Sequence, residues 1–552
     1  MPHDSADVVV VGSGAGGSPV ALQAASAGLS VILLEKGRDV PRHELLHDEV
    51  RMTRRDFFVP YVTDEPHTLR YGDTAEAERT VEGWTANILG GGTAHYSGFF
   101  FRMKPVDMML RRTLGPIEGA THTDWPIRYD ELEPYFARAE REVGVSGVWR
   151  RHPFEEPRAA DYPLPPLPEH ALAARIDQVG KKLGLHPFPT PRAVLSQARD
   201  GRAACLPCGS CGSFGCPQGA KGSTAVSLLP AAVATGHCQI RPDCMATEVA
   251  VGKDGRVTGV SYRDGKGAMQ FVAARAVVLA CSAVETVRLL LMSRSVRFPD
   301  GLANGAGQVG KNFVFSGLAK AAAWFRRSDR KWLAQPGSPF VQRSLQDFYL
   351  LDRPVDGVRK AGTILFTLAH NSPIFTAERR SSAGEGPAVW GKALKDRIRH
   401  AAAHERLEFE TFCEFLPTPG TYVDLDPRVK DRSGLPVARM TIWRHPLDAR
   451  ATALLLERGL EVLRALDPDD IEVEIRRGET KFLQGGGCRM GTDPAQSVVD
   501  RDGRAHGVEN LFISDGSVLP TSGGVPPTLT ILANAYRIGD ALVRRFHEGK
   551  LK

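Results

Sequence analysis

Three groups of residues have types and spacings that chemistry can use. The first is Gly12-Ser13-Gly14-Ala15-Gly16-Gly17, a G-x-G-x-x-G run directly after Val8-Val9-Val10-Val11. A strand feeding such a run into a helix makes a dinucleotide cradle. Gly12 allows the tight turn, Gly14 lets backbone approach a pyrophosphate, and Gly17 lets helix and strand pack closely. The helix N-terminus turns unpaired N–H groups and a partial positive charge toward that pyrophosphate. Glu35 closes the next apolar run, Val31-Ile32-Leu33-Leu34, where a ribose hydroxyl needs an acceptor.

The second group is Cys205-x-x-Cys208-x-x-Cys211-x4-Cys216, which gathers four of the nine cysteines into twelve residues. Four soft sulfur ligands this close suit an iron–sulfur cluster or a structural zinc, and unmetallated thiols or disulfides are the alternative. Cys238, Cys244, Cys281, Cys413 and Cys488 are scattered and read mostly as core residues. The third group closes the chain: Asp515-Gly516-Ser517, then Pro526-Pro527-Thr528-Leu529-Thr530-Ile531.

The bulk numbers set the class. The chain has 552 residues, 42% of them hydrophobic, and no low-complexity segment, so a large core is expected. Lys plus Arg minus Asp plus Glu is 70 − 64 = +6, a spread surplus without an aromatic-interleaved basic stripe, which argues against a nucleic-acid partner. The most basic stretch, Lys392 to Arg406, reads as a solvated helix face, with a docking surface for an electron acceptor as the alternative. No run of eighteen apolar residues exists, so no transmembrane helix is expected. The first strand starts by residue 7 and leaves no room for a signal peptide, so the expected location is cytoplasmic, where disulfides are disfavoured.

Periodicity places the elements. Residues 7 to 37 read as a β-α-β unit, and Gly83 to Arg102 as a glycine-rich loop. A helix is expected from about Asp130 to Val143. Residues 153 to 191 are dense in proline and read as an extended surface crossing, interrupted by a helix from about Glu169 to Leu183. Val249 to Val260 and Phe271 to Ala280 read as strands with turns at Asp254-Gly255 and Asp264-Gly265. Leu279 to Ala283 then feeds a helix through Leu291. Strand-like runs such as Thr363 to Phe366 and Phe409 to Phe415 dominate from about 315 to 480, followed by a helix from Thr452 to Leu466.

The two chain ends together resemble the glucose-methanol-choline (GMC) oxidoreductases. The matching pieces stand in family order: Gly90-Gly91-Gly92-Thr93-Ala94-His95, Gly486-Gly487-Cys488-Arg489-Met490-Gly491, Ser497-Val498-Val499-Asp500, Asn510 to Ser517 and Pro527-Thr528-Leu529-Thr530-Ile531. The resemblance implies an α/β flavoprotein with a Rossmann-like FAD-binding domain and a mainly antiparallel-sheet substrate domain. It implies a discontinuous FAD domain (1–150, 195–315 and 480–552), the surface crossing at 151–194, and a substrate domain at 316–479. Gly12, Gly14, Ala15, Gly17 and Glu35 are then expected at the ADP half of FAD. Gly90, Gly91, Thr93, His95, Asp515, Gly516 and Thr528 are expected along the pyrophosphate, ribityl chain and ring, and Val249 also against the cofactor. In several family members a histidine at the place of His95 is bonded to the flavin; the alternative is a histidine that packs against the ring. The cysteine loop looks like that of the FAD-dependent glucose, fructose and gluconate dehydrogenases, some of which hold an iron–sulfur cluster there. Related loops also occur in enzymes of aminoglycoside assembly. The implied activity is transfer of hydride from a small polar, sugar-like or biosynthetic-intermediate substrate to flavin N5, with an electron-acceptor protein or quinone as partner and dehydrogenase favoured over oxidase.

Two departures cut against simple transfer of that activity. Alcohol oxidation needs a base beside the flavin, because the hydroxyl proton must go as hydride leaves carbon. The family supplies a His and a His or Asn at places where this chain has Leu483 and Pro526. Neither accepts a proton. A relocated base is one answer, with Glu414 favoured and Gln484, His404 and His445 as further candidates. Another is a reaction without hydroxyl deprotonation: desaturation beside a carbonyl, amine oxidation or decarboxylation. The last is a protein that binds FAD without turnover and stabilises a partner.

Overall fold

Four consecutive valines make β1 (Asp4–Val11) a strand that fits only where both faces are covered. Val8, Val9, Val10 and Val11 are all buried, and each such side chain contributes about 1.5–3 kcal/mol of transfer free energy. The Gly12–Gly17 turn leads into α1 (Gly17–Ser26), which returns the chain to β2 (Val31–Leu34), parallel to β1 with Val8 opposite Val31. In the computed structural model the described residues are 4–53, 58–84, 86–212, 214–333, 340–368, 374, 389–474 and 483–551.

The same sheet is extended by residues far along the chain. β3 (Cys238–Arg241) lies parallel to β2. An antiparallel meander, β4 (Met245–Val251), β5 (Val257–Arg263) and β6 (Met269–Leu279), brings β6 back beside β1 with Val8 opposite Ala276. β4 thus begins four residues before the expected Val249. α2 (Ala283–Met292) follows β6 directly.

The chain then builds a lid. β7 (Lys320–Arg326) and β8 (His404–Cys413) are antiparallel neighbours in a six-stranded sheet completed by residues 188–189, 343–345, 362–368 and 470–474. Successive side chains of a strand point to opposite faces. Ala321, Ala323, Phe325, Leu407 and Phe409 share a buried core with Leu455, Leu460 and Leu463 of the helix over Pro446–Ala465. The alternate residues, Lys320, Glu410 and Phe412, therefore face the other way. That helix starts six residues before the expected Thr452, because Pro446 sits at its first position and the His445 ring accepts the Leu447 N–H at 3.1 Å. The basic helix ends at Ala403, and His404 already belongs to β8. A further four-stranded sheet pairs residues 422–430 and 436–442 with 67–71 and 78–80 and packs on α2.

The chain finally returns to the first sheet. β9 (Leu511–Ile513) pairs parallel with β6, and α3 (Thr528–His547) packs against α1 and the helix over Tyr129–Val143. No helix among the described residues is long and apolar enough to cross a membrane.

A buried ionic knot ties lid to base. Lys360 Nζ lies 2.9 Å from Asp107 Oδ1 and 2.5 Å from Glu414 Oε2. Burial alone would favour the neutral amine, but the two carboxylates hold its pKa above the usual lysine range. Glu414 Oε1 accepts from the Ser522 N–H and hydroxyl, both at 3.0 Å, and from the Gly523 N–H. Tyr349 donates to Asp107 at 2.5 Å and accepts the Gly524 N–H at 3.1 Å. Lys360→Met should cost about 3–5 kcal/mol, because it leaves two carboxylates buried without a cation. Adding Glu414→Gln to Lys360→Met should recover part of that loss in urea unfolding; an unchanged midpoint for Lys360→Met would refute the role.

Candidate active site

A cleft of about 680 Å³ runs between the ends of β1 and β6 and the lid. Its nucleotide end is shaped by glycines that admit no substitute. A Cβ on Gly12, at φ +103°, would stand 2.2 Å from the Ala280 carbonyl oxygen, and one on Gly17 would stand 1.9 Å from that of Gly12. Gly14 differs: a Cβ there would meet nothing nearer than Gly91 Cα at 3.8 Å. Its missing side chain leaves space on the cleft, facing the backbone of Gly91.

Glu35 is buried at the end of β2 with its oxygens turned into this glycine turn. Oε2 accepts from the Ser13 N–H at 3.0 Å and the Ser13 hydroxyl at 2.5 Å, and Oε1 accepts from the Gly37 N–H at 2.7 Å. Burial pushes its carboxyl above the usual carboxylate range against these bonds. Glu35 thus braces the turn as well as lining the cleft. Ser13 and Thr224, neither singled out by the sequence, join the loops: Gly90 N–H donates to Ser13 Oγ at 2.8 Å, Thr224 Oγ1 to Ser13 O at 2.9 Å, and Thr93 Oγ1 to Gly90 O at 2.6 Å. Gly90 is the hinge of this clamp, and Gly91, Thr93 and His95 line the cleft.

The chain's last segment closes the site. Asp515 and Gly516 line it, with Asp515 accepting from Thr286 Oγ1 at 2.5 Å and the Ser517 N–H at 2.8 Å. Burial raises the Asp515 carboxyl above its usual range. Pro526, Pro527, Thr528 and Ile531 all line the cleft, so α3 aims its N-terminal end, with its partial positive charge, at the ring end. Ala15 lines the cleft beside Gly14 and Gly16. Val249 does not. It is buried inside β4 with its N–H bonded to Ser293 Oγ at 2.9 Å, and Cys244, Met245 and Ala246 at the start of that strand take the place expected of it.

At the ring end, His95 stacks on Phe58 with centroids 4.4 Å apart. Leu483, at φ +60°, Gln484 and Pro526 share the cavity with Phe99, Leu318 and Phe412. The lid contributes an ion pair to the cleft: Lys320 Nζ and Glu410 Oε2 at 2.9 Å, paired across β7 and β8. Glu414, the favoured relocated base, lies outside the cleft. It follows the end of β8, where the chain has turned into the core, and its two oxygens are held by Lys360, Ser522 and Gly523. His404 is buried at the far end of β8 with Nδ1 on the His400 carbonyl at 2.7 Å, and His445 is a helix cap with Nε2 on Glu118 O at 2.9 Å. Neither reaches the cleft. The signal for Glu410 was the strand alternation Leu407, Phe409 inward and Glu410, Phe412 outward.

The cysteine loop lies beside the cleft, which Gly212 and Phe214 help to line. Cys205 and Cys216 pack against a small core of Leu164, Leu195 and Ala220, and Cys208 is exposed. No three His, Cys, Asp or Glu side chains among the described residues converge to hold a metal ion, so the expected iron–sulfur or zinc centre finds no support. The loop is organised instead around the buried Lys221 ammonium. It donates to the carbonyls of Phe214 at 2.6 Å, Tyr96 at 2.7 Å and Cys211 at 3.0 Å. Burial pulls the Lys221 pKa down to about 8 and pushes the Cys205 thiol up to about 12.

The residues present fit a flavin dinucleotide: facing glycine loops open a cradle, a helix start meets each end, and a largely apolar wall suits a flat ring. Comparison with known proteins agrees. Residues 174–315 and 417–535 match GMC oxidoreductase families, and residues 7–42 an FAD binding domain. The chain is 33% identical to a 2-methyl-1,2-propanediol dehydrogenase of Mycolicibacterium austroafricanum, covering 99% of this chain and 96% of the relative. It is 31% identical to the paromamine 6'-oxidase of Streptomyces fradiae (97% and 91% covered) and 28% to the fructose dehydrogenase large subunit of Gluconobacter japonicus (99% of each). A formate oxidase of Aspergillus oryzae shares the fold, with a TM-score of 0.65 over all of both chains at 14% identity. The chain belongs to the GMC oxidoreductase family and is an FAD-dependent oxidoreductase.

Proposed function

We propose that this enzyme oxidises the hydroxyl-bearing carbon of a small polyol or sugar-like molecule, with Glu410 as the group that takes the hydroxyl proton. The observation that carries this reading is the Lys320–Glu410 pair on the cleft face of the lid, in a cavity whose family acid–base positions hold Leu483 and Pro526. The printed names of the relatives, a propanediol dehydrogenase, a paromamine oxidase and a fructose dehydrogenase, support the substrate class.

FAD bound along Gly12–Gly17, Gly91–His95 and Asp515–Thr528 supplies a two-electron sink for the hydrogen leaving carbon. The chain does the rest. Lys320, 2.9 Å from Glu410 Oε2 and opposite it across β7 and β8, aligns the side chain whose carboxylate oxygen would accept the proton. Leu318, Phe412, Leu483 and Pro526 keep water from the reacting carbon. The start of α3 places partial positive charge where negative charge collects as the proton leaves. Delivery of electrons to an acceptor other than oxygen is supported by the dehydrogenase names of two of these relatives.

Anaerobic addition of vicinal diols, polyols and free sugars should bleach the flavin of the purified enzyme. Bleaching by amines alone, or by none of them, would overturn the assignment. The reduced enzyme should reoxidise faster with a quinone or phenazine dye than with dioxygen in stopped flow. Glu410→Gln should slow flavin reduction about 10²–10⁴-fold with flavin content unchanged, and Glu410→Asp should restore part of it. Full-rate reduction in Glu410→Gln would remove it from the mechanism.

A further inference from the structure

Outside the cleft, and sharing no wall residue with it, is a second cavity of about 600 Å³ whose lining includes Arg111, His122, Asp124, Lys311, Asn312 and Arg489. Its deepest charge is Arg489, only 6% exposed. Charges this buried are nearly always paired with an opposite charge. Arg489 is not: Nη1 donates to Thr121 O at 2.6 Å and Nε to Gln496 O at 2.9 Å, and no carboxylate among the described residues lies within ion-pair distance. Burial with nothing opposing it pulls the guanidinium pKa down to about 10. Thr121 is itself fixed by donating to Asn312 Oδ1 at 2.6 Å, so the guanidinium is held against the cavity by a built frame.

The rim adds the exposed cations Arg111 and Lys311. The opposing acid on the wall, Asp124, is engaged by Arg112, whose N–H donates to it at 3.0 Å and whose guanidinium stands 3.7 Å away. His122 is buried with Nε2 on Gly115 O at 2.9 Å, and burial favours its neutral form. Arg489 and Arg111 thus line one space with a single, already paired, carboxylate, and Lys311, whose ammonium sits 4.2 Å from the centroid of the Tyr422 ring, adds a third cation at the rim.

We propose that this cavity binds a small organic oxyanion, a phosphate ester or a polycarboxylate, with Arg489 at its floor and Arg111 and Lys311 at its rim. The volume suits a metabolite-sized molecule, and charge-assisted bonds to guanidinium give such oxyanions both affinity and orientation.

The test uses the flavin-loaded enzyme at low ionic strength, with inorganic phosphate, citrate and chloride compared at matched ionic strength. Phosphate or citrate should raise the thermal midpoint and give a saturable calorimetric isotherm, while chloride should not. A response to phosphate alone assigns a phosphate ester, and one to citrate alone a polycarboxylate. Arg111→Ala and Lys311→Ala should each weaken binding about tenfold, and Arg489→Met should abolish it. Because Arg489 also holds two peptide carbonyls, the two rim variants carry the test if Arg489→Met does not fold. Equal responses to all three anions, or binding unaltered in both rim variants, would overturn the proposal.

Discussion

The position of one ammonium group governs how the two halves of this enzyme meet. Lys360 Nζ stands in a dry interior between Asp107, from the N-terminal part of the chain, and Glu414, at the end of β8. Removing any one of the three would leave the others buried without their partner. The remaining oxygen of Glu414 is spent on the Ser522–Gly523 backbone. The strap before Pro526 is therefore set by the same ions that seat the lid, and the start of α3 follows from the strap.

The lid's chemistry is a matter of parity. A strand offers alternate side chains to opposite faces, so once Phe325, Leu407 and Phe409 are claimed by the covering helix, Lys320, Glu410 and Phe412 must face the cleft. Packing on one side thus selects the charged groups on the other. The glycine side works by exclusion instead: the contacts that forbid a Cβ at Gly12 and Gly17 bring β1, α1 and β6 so close that only backbone remains at the cleft floor.

Much of this was legible in the residues. The β-α-β unit, its glycines and Glu35 all sit where the spacing puts them, because local turn geometry fixes them. Asp515, Gly516 and Thr528 meet the same cleft from the far end of the chain. What was not legible depends on tertiary choice. Glu410 and Glu414 have the same strand parity, but only Glu410 lies on β8, which ends at Cys413, so where the strand ends decides which of them faces the cleft. Val249 lies on a strand of the nucleotide sheet but points its amide at Ser293, the residue that caps α2's C-terminal end. The spacing of Cys205, Cys208, Cys211 and Cys216 permits a cluster, yet no metal-holding group of side chains forms among the described residues, and buried Lys221 bonds the loop carbonyls of Cys211 and Phe214.

The pairing of β6 with both β1 and β9 has a consequence for synthesis in the cell. The first βα unit leaves the ribosome hundreds of residues before its strand partner β6, and further still before β9, which pairs with β6. A nascent chain therefore exposes the valine faces of β1 while it waits, a period in which collapse with the wrong partner competes and chaperone protection counts. Because Gly516 and Thr528 complete the cradle, capture of the nucleotide belongs to the last stage of maturation, and a prematurely terminated chain is born without a site to fill.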